Sequence, residues 1–244
     1  MSQNTMKPSK AFMFSSDEIN KYKSDPKDWH NFVRRKESEI IFSLFPENKF
    51  KLALELGAGN GGQSIHVLKH CEKLICTDLD EKSYDWLDMA ILDRQNTDNV
   101  EYKICDAQDL SQFDDNTFDL IFSSNMLEHI PDVRQCLREC KRVLKEDGVM
   151  LHTMPSRYWK FFQSFLNIAS LKPLDIHGVS TNQWQEFKAF GFKSWVNLIK
   201  SLDLKVADVV GLPFYVGHGN RFIPIIKAGN SLKLSATYLY IVRK

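Results

Sequence analysis

The sequence predicts an α/β fold, with a doubly wound, mostly parallel sheet of seven strands. Short apolar runs of strand length alternate with stretches of helical spacing from about residue 50 to the end of the chain. The 244 residues are 43% hydrophobic, which is enough to fill a core on both faces of such a sheet. No internal repeat or low-complexity linker interrupts the alternation, so we expect one domain over residues 1–244.

Residues 1–50 are predicted to form an N-terminal helical cap. The first fifteen residues are polar, and SSDEINKY then begins like a capped helix. Apolar residues spaced along 28–45 predict an amphipathic helix that ends at Pro46.

Residues 51–155 are predicted to form the core, with five strands and three helices. The strands are KLALEL, KLICTDLD, VEYKICDA, FDLIFSSN and GVMLHTMP. The helices are QSIHVLKH, residues 82–94 and residues 133–144. Cys136 and Cys140 fall on the apolar side of the last helix, so we expect them to be core residues rather than metal ligands.

Residues 156–195 form an aromatic-rich insertion, and residues 196–244 supply a helix at 193–202 and two closing strands, LKVADVVG and ATYLYIVRK. The insertion is predicted to be a lid that excludes water from a ligand and stacks on it. For most of its aromatic residues, ordinary packing on the core is the simpler interpretation. A third possibility is that RYWKFFQSFLNIASLK lies on a membrane surface.

Charge and cysteine content exclude several classes of protein. The net charge is +1, from 32 Lys and Arg against 31 Asp and Glu, so no nucleic-acid partner is expected. Five irregularly spaced cysteines favour a reducing compartment over a disulfide framework. Because the N-terminus lacks the apolar core of a signal peptide and no apolar run is long enough to span a membrane, we expect a cytoplasmic protein.

The stretch ELGAGNGG at residues 55–62 follows the first strand and predicts a ligand close to the backbone. It fits G-x-G-x-x-G, the pattern of dinucleotide sites, and equally the E-x-G-x-G-x-G turn of methyltransferases that use S-adenosylmethionine. Glu55, Asp78 and Asp106 lie at the ends of three consecutive strands, where a doubly wound sheet binds its ligand. A lone acid there is commonly a helix cap or a solvated charge, but three together favour a nucleoside. Asp78 can accept both ribose hydroxyls, and Asp106 can accept from an adenine amino group.

The ordered series ELGAGNGG, ICTDLD, CDAQDL, FDLIFSSNMLEHIPD and VLKEDGVMLHTMP resembles class I S-adenosylmethionine-dependent methyltransferases. The similarity is greatest to the group that includes quinone-biosynthesis and many small-molecule and sugar methyltransferases, and it covers residues 51–155. It implies a Rossmann-like sheet with an antiparallel last strand, and S-adenosyl-L-methionine as cofactor. Asp147-Gly148 departs from the Gly-Gly that the family often has, which affects a turn only.

The resemblance also implies a role for each matching residue. Glycines would admit the methionine part of the cofactor, acids would bind its amino group, ribose and adenine, and the end of the fourth strand would lie nearest the methyl group. The implied cofactor-binding residues are Glu55, Gly57, Ala58, Gly59, Asp78, Leu79, Asp106, Ala107, Ser124 and Asn125.

A hydroxyl acceptor requires a base, and His129 is the first candidate because it follows the fourth strand. His177, in the insertion, is the second candidate; His152 and His218 rank lower. A structural histidine at the start of a helix is an equally good interpretation of His129. No His, Cys or carboxylate group has the spacing of metal ligands, so no metal is expected.

The predicted function is methyl transfer to a small-molecule or glycan acceptor, at oxygen. One alternative is a lipid-linked or quinone substrate at a membrane surface, and another is a non-catalytic binding protein of the same fold. An NAD-dependent oxidoreductase is disfavoured, because the EHIPD segment would have no role in it. The oligomeric state is not predicted.

Overall fold

A computed structural model describes residues 16–22, 26–45, 49–59, 61–80, 99–213, 215–216, 223–224 and 235–244. The helix predicted at 82–94 and His218 lie outside these residues. Within them are seven helices and one 3₁₀ turn, Leu127–His129. The helices are α1 Ser16–Tyr22, α2 Pro26–Ser43, α3 Ser64–Leu68, α4 Val133–Val143, α5 Arg157–Ala169, α6 Gln183–Ala189 and α7 Phe192–Lys200. None of these described helices is both long and apolar enough to cross a membrane.

Seven strands form one sheet in the order β3-β2-β1-β4-β5-β9-β6. Its strands are β1 Phe50–Leu56, β2 Cys71–Asp78, β3 Val100–Ile104, β4 Phe118–Ser124, β5 Leu144–Pro155, β6 Lys205–Gly211 and β9 Thr237–Arg243. The strand β9 is antiparallel to β5 and β6, and every other neighbouring pair is parallel. A short ribbon of β7 Tyr215–Val216 and β8 Ile223–Pro224 lies between β6 and β9 in the sequence, and its strands pair only with each other among the described residues. The predicted seven-stranded fold with an antiparallel last strand is confirmed.

The core covers both faces of the sheet, as the long apolar runs of the strands require. One buried cluster joins the sheet to α4 and α7, and a second joins its other face to α2 and α3. Cys136 and Cys140 are fully buried in the first cluster, which confirms their interpretation as core residues. The helix α2 packs Ile40, Ile41 and Phe42 into the second cluster.

The strand β5 begins at Leu144, earlier than the predicted start at Gly148. Its pairing with β4 shifts between Phe118 and Leu120, so residues 145–148 form a bulge. A Cβ at Gly148 would lie 2.7 Å from the Leu144 side chain, so glycine permits the bulge. Sequence periodicity could not reveal this, because a bulge breaks the alternation from which strands are recognised.

The insertion at 156–195 is packed on one side and exposed on the other. Phe190 and Trp195 are buried, as the core-packing interpretation of the aromatic residues expects. The opposite side of α5 carries Phe161, Phe165 and Ile168, each more than half exposed.

Candidate active site

The glycine turn after β1 adopts a backbone conformation that suits glycine. Gly57, Gly59 and Gly61 have φ of +69°, +53° and +71°, a region in which other residues are strained. A Cβ at Gly57 would also lie 2.6 Å from the Cγ of Met126. The turn lies between β1 and β2, beside the point where the strand order reverses toward β4, and a doubly wound sheet binds ligands there.

Asp78, at the end of β2, holds this turn in place through a hydrogen bond. Its Oδ2 accepts a hydrogen bond from the Gly59 amide at 2.8 Å, and its Oδ1 accepts one from the Leu79 amide at 2.7 Å. The Ala58 amide donates to the Thr77 carbonyl at 2.9 Å. Asp78 therefore orients the glycine turn while remaining partly accessible.

Glu55 is a buried carboxylic acid at the wall of the site. It is 3% exposed, and the thiol of Cys76, its partner across the β1–β2 pairing, donates to its Oε2 at 3.6 Å. Burial raises the pKa of Glu55 from 4.5 to about 7, and the nearby Asp78 carboxylate acts in the same direction. A cationic ligand group would favour the ionised form of this residue.

These elements enclose a cavity of about 280 Å³. The end of β4 contributes Ser124 and Asn125, and Asn125 holds φ of +47° while its amide donates to the Thr153 carbonyl. The glycine turn and Gln63, just before α3, contribute a second wall, α2 contributes a third, and His177 also lines the cavity. The remaining lining residues are His30, Asn31, Arg34, Glu55, Gly57, Ala58, Gly59, Gly62 and Gln63.

Sequence reasoning missed the contribution of α2 to this cavity. Arg34 donates to the buried Glu37 carboxylate at 2.8 Å, and the side-chain amide of Asn125 lies against the same guanidinium, which its oxygen faces once the amide is oriented to accept. In the sequence Arg34 is one of several charged residues in RRKESE, and no spacing distinguishes it. Arg34 and Glu55 place a guanidinium and a carboxylic acid in one cavity, which suits a ligand with an α-amino acid group.

Four predicted residues at the ends of β2 and β3 do not line this cavity: Asp78, which contacts the glycine turn, and Leu79, Asp106 and Ala107. Leu79 is exposed, and Ala107 is buried next to Asp106. The Asp106 carboxylate accepts from the amide of Gln108 at 2.8 Å and from its side chain at 3.1 Å. Among the described residues, this carboxylate therefore stabilises the loop that follows β3. Its contact with adenine stays a prediction.

The three described candidate histidines, His129, His152 and His177, lie in different environments. His177 lines the cavity, and its ring contacts that of His129 edge to face, with the centroids 4.7 Å apart. His129 does not border the cavity, and partial burial lowers its pKa. His152 is fully buried, its Nδ1 lies 2.8 Å from the Ser123 hydroxyl, and burial lowers its pKa to about 4. His152 is therefore a neutral core residue.

His177 also borders a second cavity, of about 250 Å³, on the side of α5. The lining of this cavity is polar apart from one indole and two aliphatic side chains. It includes Trp159, Gln163, Ser164, Asn167, Lys172 and Asp175. One imidazole thus separates a cavity at the glycine turn from a cavity in the inserted lid.

Comparisons with known proteins find similarity to methyltransferases in both sequence and fold. Residues 54–152 match the family model of a methyltransferase domain. A ubiquinone biosynthesis O-methyltransferase of Neisseria meningitidis is 25% identical over 121 residues, 50% of each chain, so this chain spans about half the length of that relative. A sarcosine/dimethylglycine N-methyltransferase of Halorhodospira halochloris is 31% identical over 103 residues, 42% of this chain and 37% of that one. The crystal structure of a SAM-dependent methyltransferase of Thermotoga maritima, a possible histamine N-methyltransferase, has a TM-score of 0.62 at 18% identity and covers 93% of this chain and 96% of its own.

Proposed function

We propose that this chain, whose residues 54–152 match a methyltransferase domain, is a class I S-adenosylmethionine-dependent methyltransferase that transfers the cofactor's methyl group to a hydroxyl of a polar small-molecule or glycan acceptor. The match to a methyltransferase domain and the similar fold support S-adenosylmethionine as the cofactor. The acceptor and its reacting atom are the proposal, since the relatives named above methylate oxygen in one case and nitrogen in the other.

In this proposal the cofactor's methionine part lies at the glycine turn. Arg34 binds the carboxylate, and Glu55 in its ionised form binds the ammonium group. Both side chains border the cavity at the turn, which supports the assignment. Asp78 would accept from the ribose hydroxyls, and Asp106, at the neighbouring strand end, would accept from the adenine.

The position of His177 between the two cavities carries the proposal for the acceptor. The cofactor occupies the cavity at the glycine turn, so an acceptor in the lid cavity reaches the methyl group past His177. The lid cavity offers an indole face at Trp159 and amide groups at Gln163 and Asn167. Sugars and other hydroxylated molecules are recognised by such combinations of one apolar face and several hydrogen-bonding groups.

The reaction is an in-line displacement at the methyl carbon. A lone pair of the acceptor oxygen forms the new C–O bond as the C–S bond breaks, and the sulfonium leaves as neutral S-adenosylhomocysteine. Positioning of the two reactants is the chief contribution of the protein and can be worth up to about 7–11 kcal/mol. The acceptor proton passes to a nearby base, and His177 and His129 are the candidates. General base catalysis of this kind raises the rate by about 10²–10⁴-fold.

The proposal is tested by incubating the protein with S-adenosylmethionine and panels of glycan, phenol, quinol and amine acceptors, and measuring S-adenosylhomocysteine release. Turnover with a hydroxylated polar acceptor, reduced about 10²-fold in kcat by His177→Ala, is expected. Turnover with amines alone would refute the choice of oxygen. Cofactor binding without turnover on any panel member would favour the non-catalytic alternative.

A second candidate is a lipid-linked or quinone acceptor at a membrane surface, and the exposed side of α5 favours it. Phe161, Phe165 and Ile168 follow helical spacing on that side, and Leu171 just beyond the helix is 97% exposed. An interfacial helix presents such an apolar side to lipid. Flotation with anionic vesicles that is lost in Phe161→Ser/Phe165→Ser would support this candidate, and no flotation of the unmodified chain would remove it.

A further inference from the structure

The 3₁₀ turn after β4 and the lid loop meet at one buried acid, Glu128. The Val179 amide donates to the Glu128 carbonyl at 3.1 Å. Gly178 has φ of +102°, and a Cβ there would collide with the same carbonyl. Glycine at this position therefore lets the loop approach closely and brings His177 against Glu128 and His129.

The three side chains form a compact group of potential ligands. The Glu128 Oε1 lies 3.7 Å from the His177 Nε2 and 4.0 Å from the His129 Nε2. One ligand atom from each residue lies within 4.8 Å of the other two. Ligand atoms on one tetrahedral zinc ion are about 3.4 Å apart, given Zn–N bonds of about 2.1 Å. Small side-chain rotations would bring the group to that separation.

The environment of the Glu128 carboxylate also indicates a bound cation, independently of the distances among the three side chains. Its side chain is 2% exposed, and neither oxygen has a hydrogen bond in the described part of the chain. A carboxylate withdrawn from water requires a compensating cation or donors. Its Oε1 lies 4.0 Å from the His129 Nε2 and 3.7 Å from the His177 Nε2, beyond hydrogen-bonding distance of either ring. One divalent cation between them would give the acid and both imidazole nitrogens a partner.

We propose that Glu128, His129 and His177 bind one divalent transition-metal ion of the zinc type. Two imidazoles and one carboxylate suit zinc and similar first-row ions, whereas magnesium prefers oxygen ligands and water. Three protein ligands leave coordination positions open, as in catalytic zinc sites. The spacing of residues in the sequence predicts no metal, because Glu128 and His129 are adjacent and His177 is distant. The fold brings the three side chains together.

The role of this ion, though not its binding, rests on the proposed function. His177 lies between the cofactor and acceptor cavities, so the ion would be near the acceptor hydroxyl. Its positive charge would lower the pKa of that hydroxyl. The two imidazoles would then serve as ligands rather than as the base, and the acceptor proton would pass to water.

Metal binding is tested on the full chain after removal of any affinity tag and of bound metal with a chelator. Co²⁺ is titrated in while its visible absorption is recorded, and Zn²⁺ binding is measured by calorimetry. We expect one ion per chain, with affinity reduced at least about 100-fold in Glu128→Gln and in His177→Ala. His66→Ala, which removes an imidazole on α3, is the matched control and should bind as the unmodified chain does.

No stoichiometric binding of either ion, or equal affinity in Glu128→Gln and the unmodified chain, would overturn the metal site. Circular dichroism and thermal unfolding of the same samples show that each variant is folded, and S-adenosylhomocysteine calorimetry is run alongside. A protein that binds S-adenosylhomocysteine but no metal refutes this site and leaves the proposed function standing. A protein that binds the metal but not S-adenosylhomocysteine would refute the proposed function and leave the metal site standing.

Discussion

Replacement of Glu55 by glutamine should have opposite effects on stability and on cofactor affinity. Burial raises the pKa of Glu55 from 4.5 to about 7 in the folded chain. Folding therefore favours the protonated acid. This contribution to stability is fully present below about pH 4.5 and is lost as the pH rises through 7.

The magnitude follows from the pKa shift. Each pKa unit corresponds to about 1.4 kcal/mol, so the ionised side chain costs about 3 kcal/mol of folding free energy above pH 7. In Glu55→Gln this cost is absent at every pH. The free energy of unfolding of the variant, relative to that of the unmodified chain, should therefore increase by about 2–3 kcal/mol between pH 5 and pH 8.

Urea denaturation of the cofactor-free protein at the two pH values measures this difference. Any constant penalty for burying an amide cancels when the two pH values are compared. The matched control is Glu146→Gln, a side chain that is 81% exposed, and its relative stability should change little with pH. A pH-independent difference for Glu55→Gln would refute the account of Glu55 as a buried, titrating acid.

The same variant should bind S-adenosylhomocysteine about 10–100-fold more weakly, because a hydrogen bond to a charged group is worth about 1.5–3 kcal/mol. Near pH 6.5, binding to the unmodified chain should release a proton as Glu55 ionises beside the ligand's ammonium group. Calorimetry in two buffers of different ionisation enthalpy detects that proton. Undiminished affinity in the variant would place the ammonium group elsewhere.

Three further predictions concern the turn and the histidines. Asp78→Ala should weaken S-adenosylhomocysteine binding by about 1.5–3 kcal/mol in calorimetry, whereas the exposed Asp80→Ala should not; equal effects would remove Asp78 from the site. Gly57→Ala should destabilise the chain by about 1–3 kcal/mol in thermal or urea unfolding, because its φ is positive and its Cβ would meet a methionine side chain; unchanged stability would contradict the turn geometry. His129→Ala should lower kcat about 10²-fold with cofactor affinity nearly intact, whether His129 is a base or a ligand. If kcat survives and only stability falls, His129 is structural.

The sheet could be predicted from the sequence because its signals are local. The apolar runs of β1 and β4 and the glycines between β1 and α3 identify a strand, a turn and a helix without reference to distant residues. The start of β5 could not be predicted, because residues 145–148 form a bulge whose pairing depends on β4.

The site was predicted in part, for the same reason. Glu55, Ser124 and Asn125 follow recognisable strands and were placed at the cavity. Arg34 has no local signal, since only the packing of α2 turns it toward Asn125. The group formed by Glu128, His129 and His177 depends on a loop approach that Gly178 permits, which the spacing of residues does not encode.

Calorimetry of the full chain with S-adenosylhomocysteine, and separately with NAD, tests the central claim most directly. The account predicts one S-adenosylhomocysteine site with a dissociation constant in the micromolar range and negligible binding of NAD, because the cavity at the glycine turn presents an acid and a guanidinium to an amino acid group. Tight binding of NAD with no binding of S-adenosylhomocysteine would contradict it.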